Sequence, residues 1–479
     1  MSDRDLCFVP ATTLQRLYRA RKASPLEVMQ AVFARIDAIN PRVNAYVTLA
    51  REQALTAAKK ATAAVTRKGA KLGPLHGVPV SIKDLTPTKG IRTTSGSKIF
   101  EHHVPEEDAL YVARLKAAGA IVVGKTNTPE FGAGGNTFNA VFGATRNPWN
   151  TALTCGGSSG GAAVALATGM GPLAQGSDLG GSLRTPAAFC GVVGFRTTPG
   201  LIPVYPSDLG WDSLSVTGPM ARTVADVALM LAAMAGPDDR SPLSYDVDTR
   251  TFTAAVKRPS IKGWRVAWTP DLNGMIPVDH EVAAVAEQAT RVIRALGAKV
   301  EHACPDFNEV NEIVLATRGL GMVARHAEKL AQWEPVMQKG LVWNIKQGLS
   351  LTPEQIGNGE KLRTRLWHRV REFMATRDLL ILPTVAVPPF PVEQAYPTEI
   401  NGKPLDNYTQ WFFLTYGITV TGLPVISVPC GFTKSGLPVG LQIVGRRRQE
   451  TAVLNAAAAF ESAASWADKI PPLVTAVSS

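Results

Sequence analysis

Segments with a helical pattern alternate with short apolar runs along most of this 479-residue chain. The apolar runs at 78–82 and 120–123 follow helical patterns at 51–67 and 108–118 respectively. Parallel strands need a crossover of about a dozen or more residues, so this alternation predicts an α/β fold. We expect a large mixed, mostly parallel central sheet covered by helices on both faces. Further strands are predicted at 264–268, 299–302, 379–382, 425–428 and 439–444, with helices at 223–234 and 279–296.

One predicted helix has explicit start and stop signals. Ser24 suits the N-cap, Pro25 suits the first helical position, and Glu27 completes a capping box. The helix is therefore predicted at 24–40. Pro41 is expected to end it.

Composition is that of an ordinary globular enzyme, with 45% hydrophobic and 19% charged residues. No repeat or low-complexity tract divides the chain, so we expect one domain over 1–479, with a helical, lid-like sub-region at 306–375. The formal charge of +11 would suit an acidic partner. The densest basic runs, 19–22 and 446–448, are short and lack interleaved aromatic residues, which argues against nucleic-acid binding.

Cysteine usage and hydropathy indicate the compartment. The five cysteines are widely spaced without a C-x-x-C pair, so neither a disulfide framework nor a zinc site is indicated. No run approaches the roughly eighteen consecutive apolar residues of a membrane span, and the N-terminal region lacks an apolar signal core. We therefore expect a cytoplasmic protein with no membrane span, metal or cofactor. A homodimer is compatible with the sequence.

The segment 154–188 concentrates glycine and serine to an unusual degree. Glycine is costly to order, so clusters of it are kept where the backbone turns sharply or approaches a ligand. A helix is predicted at 160–169 and a strand at 173–177, which places one glycine-serine loop before the helix and another after the strand. Active sites of α/β sheets lie at such element ends.

The second of these loops has the properties of an acyl-transfer site. Its backbone N–H groups, at Leu179, Gly180, Gly181 and Ser182, can surround the oxyanion of a tetrahedral intermediate. Ser182 would then be the nucleophile. The alternative is that the glycines only make turns and the serines only cap helices, and this alternative is strong for Ser159.

A serine nucleophile requires a base, and the seven histidines are scattered at unsuitable positions. Lys83 follows the strand 78–82, where covering helices would bury it. Burial disfavours the ammonium form, so the pKa of Lys83 should fall until the neutral amine can accept a proton. A solvated surface lysine is the alternative.

Three other motifs compete with this interpretation. Residues 119–126 match the phosphate-loop pattern G-x-x-x-x-G-K-[ST], but the variable positions form an apolar strand rather than an irregular loop. Residues 157–161 match G-x-S-x-G, but no strand precedes them. Residues 95–98 match S-x-x-K without the S-D-N or K-T-G that should follow. We reject all three.

Six segments together resemble the amidase signature family. They are G-V-P-V-S-I-K-D at 77–84, G-K-T-N-T-P-E-F at 124–131, N-P-W-N at 147–150, G-G-S-S-G-G at 156–161, G-S-D-L-G-G-S-L-R-T-P-A-A-F-C-G-V-V-G-F-R-T at 176–197, and the glycine- and valine-rich stretch at 422–445. The resemblance covers nearly the whole chain and is weakest between about 240 and 378. It implies the amidase signature fold and a hydrolase that cleaves C–N bonds.

The resemblance also assigns roles to residues. It implies a proton relay of Lys83, Ser158 held by a cis peptide bond, and the nucleophile Ser182. Asp178 and Arg184 match positions that support the nucleophile loop. Ser159 is expected to be a supporting N-cap that holds the first loop. Four residues are expected to line the substrate pocket: Phe131, Asn136, Phe142 and Trp211.

The substrate is left open by the sequence. Family members cleave aliphatic, aryl and fatty amides as well as esters and carbamates, so each is a candidate. One alternative is the glutaminase subunit of a tRNA-dependent amidotransferase, which needs partner subunits. Another is a catalytically silent relative that only binds, against which the intact relay argues.

Overall fold

A mixed sheet of eleven strands forms the centre of the computed structural model, which describes residues 3–67 and 69–475. In chain order the strands are β1 Tyr46–Leu49, β2 Pro79–Lys83, β3 Ile121–Thr126, β4 Phe138–Asn139, β5 Gly143–Ala144, β6 Leu173–Asp178, β7 Val193–Arg196, β8 Val216–Ala221, β9 Arg265–Trp268, β10 Lys299–His302, β11 Leu379–Pro383, β12 Glu399–Ile400, β13 Lys403–Pro404, β14 Val425–Phe432 and β15 Pro438–Gly445. Four of these strands lie outside the central sheet and form two separate hairpins, β4 with β5 and β12 with β13.

The order across the sheet is β1-β3-β2-β6-β8-β7-β14-β15-β11-β9-β10. Parallel pairing occurs in two blocks, β3-β2-β6 and β11-β9-β10. The other six pairings are antiparallel, at the β1 edge and through the middle of the sheet. The predicted large mixed sheet is confirmed. Its antiparallel share exceeds our expectation because β7 and β8, which the sequence did not reveal, and the β14–β15 hairpin join the two blocks.

Helices cover both faces of the sheet, as predicted. On β11 the side chains of Leu379 and Ile381 pack into one hydrophobic core, and those of Leu380 and Leu382 pack into the other. None of the helices in the described ranges has the length and apolar character that a membrane span requires. The helices are α1 Asp3–Phe8, α2 Ala11–Arg19, α3 Pro25–Val43, α4 Arg51–Thr66, α5 Leu110–Ala117, α6 Gly160–Ala167, α7 Arg184–Cys190, α8 Val224–Met234, α9 Arg250–Ala255, α10 His280–Ala295, α11 Val310–Trp333, α12 Lys339–Leu349, α13 Pro353–Ala375, α14 Phe413–Thr421, α15 Glu450–Ala463 and α16 Pro472–Thr475.

Helix α3 begins as predicted and ends later than predicted. The capping box between Ser24 and Glu27 is formed, with both reciprocal hydrogen bonds. Pro41 does not end the helix, which continues to Val43. Its C-cap is Asn44, which adopts the left-handed conformation (φ 52°) and donates its N–H to the Asn40 carbonyl. A proline in the last turn removes only one backbone hydrogen bond, and a C-cap in the left-handed conformation is the stronger stop.

Two features of this fold position the site. Strands β2, β3 and β6 run parallel, so their carboxyl ends, at Lys83, Thr126 and Asp178, meet at one edge of the sheet. Helices α11, α12 and α13 lie beside that edge. Residues of α11 and α12 share a small apolar core with Ala133 of the main body, whereas α13 packs into one of the two large cores. The three helices are anchored to the main body where the Gln338 N–H donates to the Glu130 carboxylate at 2.6 Å.

Candidate active site

Lys83 is fully buried at the end of β2. Its Nζ lies 2.7 Å from Ser158 Oγ, 3.0 Å from Ser159 Oγ and 3.0 Å from Ser177 Oγ. Within the described ranges no carboxylate forms an ion pair with it. Burial lowers the pKa of Lys83 from 10.5 to about 7, and the more distant Asp178 offsets only part of that effect. The amine is therefore able to take up a proton near neutral pH.

The two serines of the first loop differ from each other. The Gly157–Ser158 peptide bond is cis. Ser158 is 2% exposed, and its hydroxyl is hydrogen-bonded to the Lys83 amine. Ser159 occupies the N-cap position of α6 but makes no side-chain cap bond, which corrects our expectation of its role. Its hydroxyl contacts Lys83 and the backbone of Ser177 instead, because the lysine offers a stronger partner than the helix end.

Ser177 is a contact of the lysine that the sequence did not reveal. It lies in β6, and its hydroxyl completes the set of three around Lys83 Nζ. The strand periodicity of two could have found it, since Gln175 on the same face of β6 accepts the Lys83 backbone N–H. Ser177 lies within the segment 176–197, but nothing in that motif singles it out from its neighbours.

Ser182 lies in the turn between β6 and α7, and the backbone there has room only for glycine. Gly181 has φ 130°, and a Cβ on it would lie 2.4 Å from Thr415 Oγ1. Its N–H donates to Asp178 Oδ1 at 2.9 Å, so Gly181 is removed from the predicted oxyanion donors. The N–H groups of Leu179, Gly180 and Ser182 donate to no acceptor in the described protein and are free for a ligand.

A buried ion pair fixes this turn. Asp178 accepts from the Leu183 backbone N–H and, through both its oxygens, from Arg184 at 2.9 and 3.0 Å. Burial alone would raise the pKa of Asp178, but Arg184 and Arg196 hold it well below its ordinary value. The carboxylate is thus permanently charged. The five N–H groups of Arg184 are all used, with remaining acceptors on Thr415, Thr419 and Gln442.

Ser158 and Ser182 line the same cavity, of about 110 Å³. No hydrogen bond joins their hydroxyls in the described structure, so the nucleophile link of the relay is open while the lysine link is closed. Apo active sites commonly tighten such contacts only when substrate binds. The opposite wall includes residues from distant parts of the chain, namely Arg318, Met322, Arg325, His326, Tyr408 and Phe412.

One of the four predicted pocket residues lines this cavity. Phe131 does so, in a left-handed conformation (φ 49°) with its ring 4.7 Å from that of His326. Asn136 is buried elsewhere because its amide donates to the carbonyls of Val392 and Gln394.

The other two predictions of pocket residues also fail. Phe142 packs under the guanidinium of Arg92 at 5.2 Å. Trp211 is 76% exposed and borders a neighbouring surface hollow, which shares Arg318 and Arg325 with the cavity. These two aromatic residues thus lie outside the cavity lining, unlike Phe131.

Comparisons with known proteins find relatives over nearly the whole chain. The amidase family model matches residues 27–454. An acylamidase from Rhodococcus erythropolis is 40% identical over 478 residues, covering 98% of each chain. The solved structure of a bacterial aryl acylamidase of the amidase signature family superposes with a TM-score of 0.89 at 30% identity, covering 96% of this chain and 97% of the other. A glutamyl-tRNA(Gln) amidotransferase component from Thermosynechococcus vestitus is 35% identical over 490 residues, covering 96% of this chain and 100% of that one.

The fold and the buried amine beside a serine loop are those of a hydrolase that cleaves amides. The chain belongs to the amidase signature family, as its motifs indicated.

Proposed function

We propose that this protein hydrolyses small linear amides through an acyl-enzyme on Ser182, with Ser158 and Lys83 as proton relay. The observation that carries the proposal is the 2.7 Å contact between the buried Lys83 amine and a serine hydroxyl in the cavity of Ser182. A lysine whose pKa is about 7 is half neutral at neutral pH. It can therefore act as a base without a histidine.

The reaction proceeds in two half-reactions. Ser158 gives its proton to Lys83 and takes the proton of Ser182, whose oxygen attacks the amide carbonyl carbon. The relay then returns a proton to the nitrogen as the C–N bond breaks and the amine leaves. Water attacks the resulting ester and loses a proton to the same relay. The relay returns that proton to Ser182 Oγ as the ester bond breaks, and the carboxylic acid leaves.

The backbone of the nucleophile turn stabilises the oxyanion in both half-reactions. The N–H groups of Leu179, Gly180 and Ser182 are the donors we assign, since that of Gly181 is engaged by Asp178. The Asp178–Arg184 pair keeps the turn rigid, so the donors need no rearrangement when charge develops. We assign these two residues positioning roles.

The acyl group is expected to be small, because the cavity holds only about 110 Å³ in this conformation. Helices α11–α13 are proposed as its cover. The acylamidase and aryl acylamidase relatives support acyl anilides as the first substrates to test. Esters and carbamates follow the same chemistry and belong in the same screen. We keep the cytoplasm as the proposed compartment and a homodimer as the proposed assembly.

A glutaminase role is less well supported by the cavity. Glutamine carries an α-ammonium group, and among the described residues that line the cavity none is acidic. Hydrolysis of anilides by the isolated chain, without ATP or partner subunits, would set this alternative aside.

The decisive experiment is covalent trapping. A fluorophosphonate should label the wild-type protein once, on Ser182, and intact mass followed by peptide mapping would locate the label. Ser182→Ala should neither be labelled nor hydrolyse anilides, while Ser213→Ala, a serine outside the cavity lining, should behave as the wild type. Label on another serine would reject Ser182 as the nucleophile, and no label in a folded protein would favour a silent binding relative.

A further inference from the structure

One face of α11 forms the cavity wall opposite the serines. Arg318, Met322, Arg325 and His326 recur at helical spacing and all line the cavity. Two of the four are arginines, and no described residue of the lining is acidic. The net charge of the wall therefore depends on what compensates each arginine.

The two arginines differ in how their charges are compensated. Arg325 forms an ion pair with Asp212. Arg318 contacts only neutral groups, with Nε 2.7 Å from Asn344 Oδ1, Nη2 2.9 Å from the Tyr408 hydroxyl and Nη1 3.3 Å from the Tyr416 hydroxyl. Three of its five N–H groups are used, which leaves two for a ligand.

Arg318 is thus a buried charge for which the described residues provide no counter-ion. It is 9% exposed, and buried guanidinium groups are normally paired with a carboxylate because desolvation is costly. Its neutral contacts orient the side chain without neutralising it. An anion supplied by the ligand would provide the missing charge.

His326 adds a second, independent indication of a polar ligand. It is 8% exposed, and its Nδ1 has no hydrogen-bond partner in the described structure. Burial, Lys329 and Arg325 lower the pKa of His326 to about 3, so the ring is neutral and its tautomer can adapt to a ligand atom.

The position of Arg318 relates it to the acyl side of the substrate. Its partner Tyr416 packs against the nucleophile turn, where a Cβ on Gly180 would lie 2.5 Å from the Tyr416 ring. Ser158, which serves the leaving nitrogen, lies on the side of Gly132. In the binding mode that underlies the inference, the acyl chain extends toward Arg318 while the amine leaves past Ser158.

Resting on the proposed function, we infer that the preferred substrates are amides whose acyl chain ends in a carboxylate, which Arg318 binds. A charge-assisted contact between guanidinium and carboxylate is roughly twice as strong as a neutral hydrogen bond and can be bidentate. Arg318 would be the residue that selects for the anionic acyl group.

The test compares two 4-nitroanilides of nearly equal shape, glutaryl and 5-methylhexanoyl, by release of nitroaniline. Wild type should prefer the glutaryl compound in kcat/KM by roughly tenfold or more. Arg318→Met should lower that preference by roughly ten- to hundredfold, mainly through KM, and Arg318→Lys should keep part of it.

The matched control combines Arg325→Met with Asp212→Asn, which removes an arginine from the same helix face together with the carboxylate that compensates it, so the net charge stays the same. Its preference ratio should stay within about threefold of wild type. Calorimetry of both anilides binding to Ser182→Ala repeats the comparison of the glutaryl and 5-methylhexanoyl compounds without turnover. It tests the preference for the anionic compound even if Arg318→Met fails to fold.

Two results would overturn the inference. One is a wild type that hydrolyses both anilides with equal kcat/KM or prefers the neutral one. The other is a preference that survives in Arg318→Met. Either can occur while the fluorophosphonate still labels Ser182, in which case the proposed function stands and only the substrate class is wrong.

Discussion

Two lysines stand at the ends of neighbouring parallel strands, Lys83 on β2 and Lys125 on β3. Both are 0% exposed, and burial lowers the pKa of each from 10.5 to about 7. By burial and basicity they are indistinguishable. Only one of them is proposed to be a catalytic base.

Their partners separate them. Lys83 Nζ contacts three hydroxyls, of which Ser158 and Ser177 line the cavity. Lys125 Nζ donates to the Thr86 carbonyl oxygen and to Thr88 Oγ1, and the nearby Asp84 favours its charged form. A carbonyl has no proton to give, whereas a hydroxyl both gives and accepts one.

A lowered pKa therefore does not by itself identify a base. The amine must also contact a group that exchanges protons, and that group must reach the reacting atoms. Lys125 does contact a hydroxyl, that of Thr88, but Thr88 is not among the described residues that line the cavity, so the second condition is not met. Its hydrogen bonds instead hold the loop that follows β2 in place. The matched pair makes this difference testable.

The largest expected effect is on turnover in Lys83→Met. Removing the base should lower kcat by about 10²- to 10⁴-fold with the fold retained. Lys125→Met removes an equally buried amine and should lower kcat by less than about tenfold. Anilide hydrolysis, with circular dichroism to check folding, measures both. Equal losses in the two folded variants would abolish the distinction between the lysines.

The pH dependence of kcat/KM should report Lys83 alone. The neutral amine is the active form and its pKa is about 7, so activity should fall tenfold per pH unit below that value and level off above it. Activity at pH 5.5 should be about thirtyfold below that at pH 8.5. Asp84→Asn, which alters the surroundings of Lys125, should leave the midpoint unchanged. A midpoint near 10 would mean that the Lys83 amine stays charged.

Smaller effects should rank the three hydroxyls around Lys83. Ser159→Ala and Ser177→Ala each remove one neutral hydrogen bond from Nζ and should lower kcat roughly three- to tenfold. Ser158→Ala should lose about as much as Lys83→Met, because it interrupts the relay. Steady-state kinetics on one anilide suffices. If Ser177→Ala lowers kcat more than Ser158→Ala and Ser159→Ala do, the proton passes through Ser177 instead.

Sequence patterns predicted the features that depend on neighbouring residues in the chain. The glycine and serine clusters marked both loops of the site, and the strand before Lys83 indicated its burial. The capping box fixed the start of α3. Its end depended on Asn44, whose left-handed conformation no periodicity reveals.

Contacts between distant segments escaped prediction. Asn136 looked like a pocket residue, but its amide partners are carbonyls some 256 residues further along the chain. Arg318 carries no motif and reaches the cavity only because α11 packs beside the sheet edge. Gly181 was assigned to the oxyanion donors because nothing in its sequence shows that Asp178 takes its N–H.

The smallest expected effect belongs to Thr88→Val, the counterpart of Ser177→Ala at the other lysine. It removes a single hydroxyl 2.9 Å from Lys125 Nζ while keeping the side-chain shape. The hydroxyl also donates to the Thr86 carbonyl oxygen at 3.1 Å, so two hydrogen bonds are lost. The free energy of unfolding should fall by about 1–3 kcal/mol, measured by chemical denaturation. Because Lys125 exchanges no proton in the reaction, kcat should stay within about twofold of wild type. A larger kinetic loss than that of Ser177→Ala would show that the loop held by Lys125 governs turnover, and the contrast between structural and catalytic lysine would no longer hold.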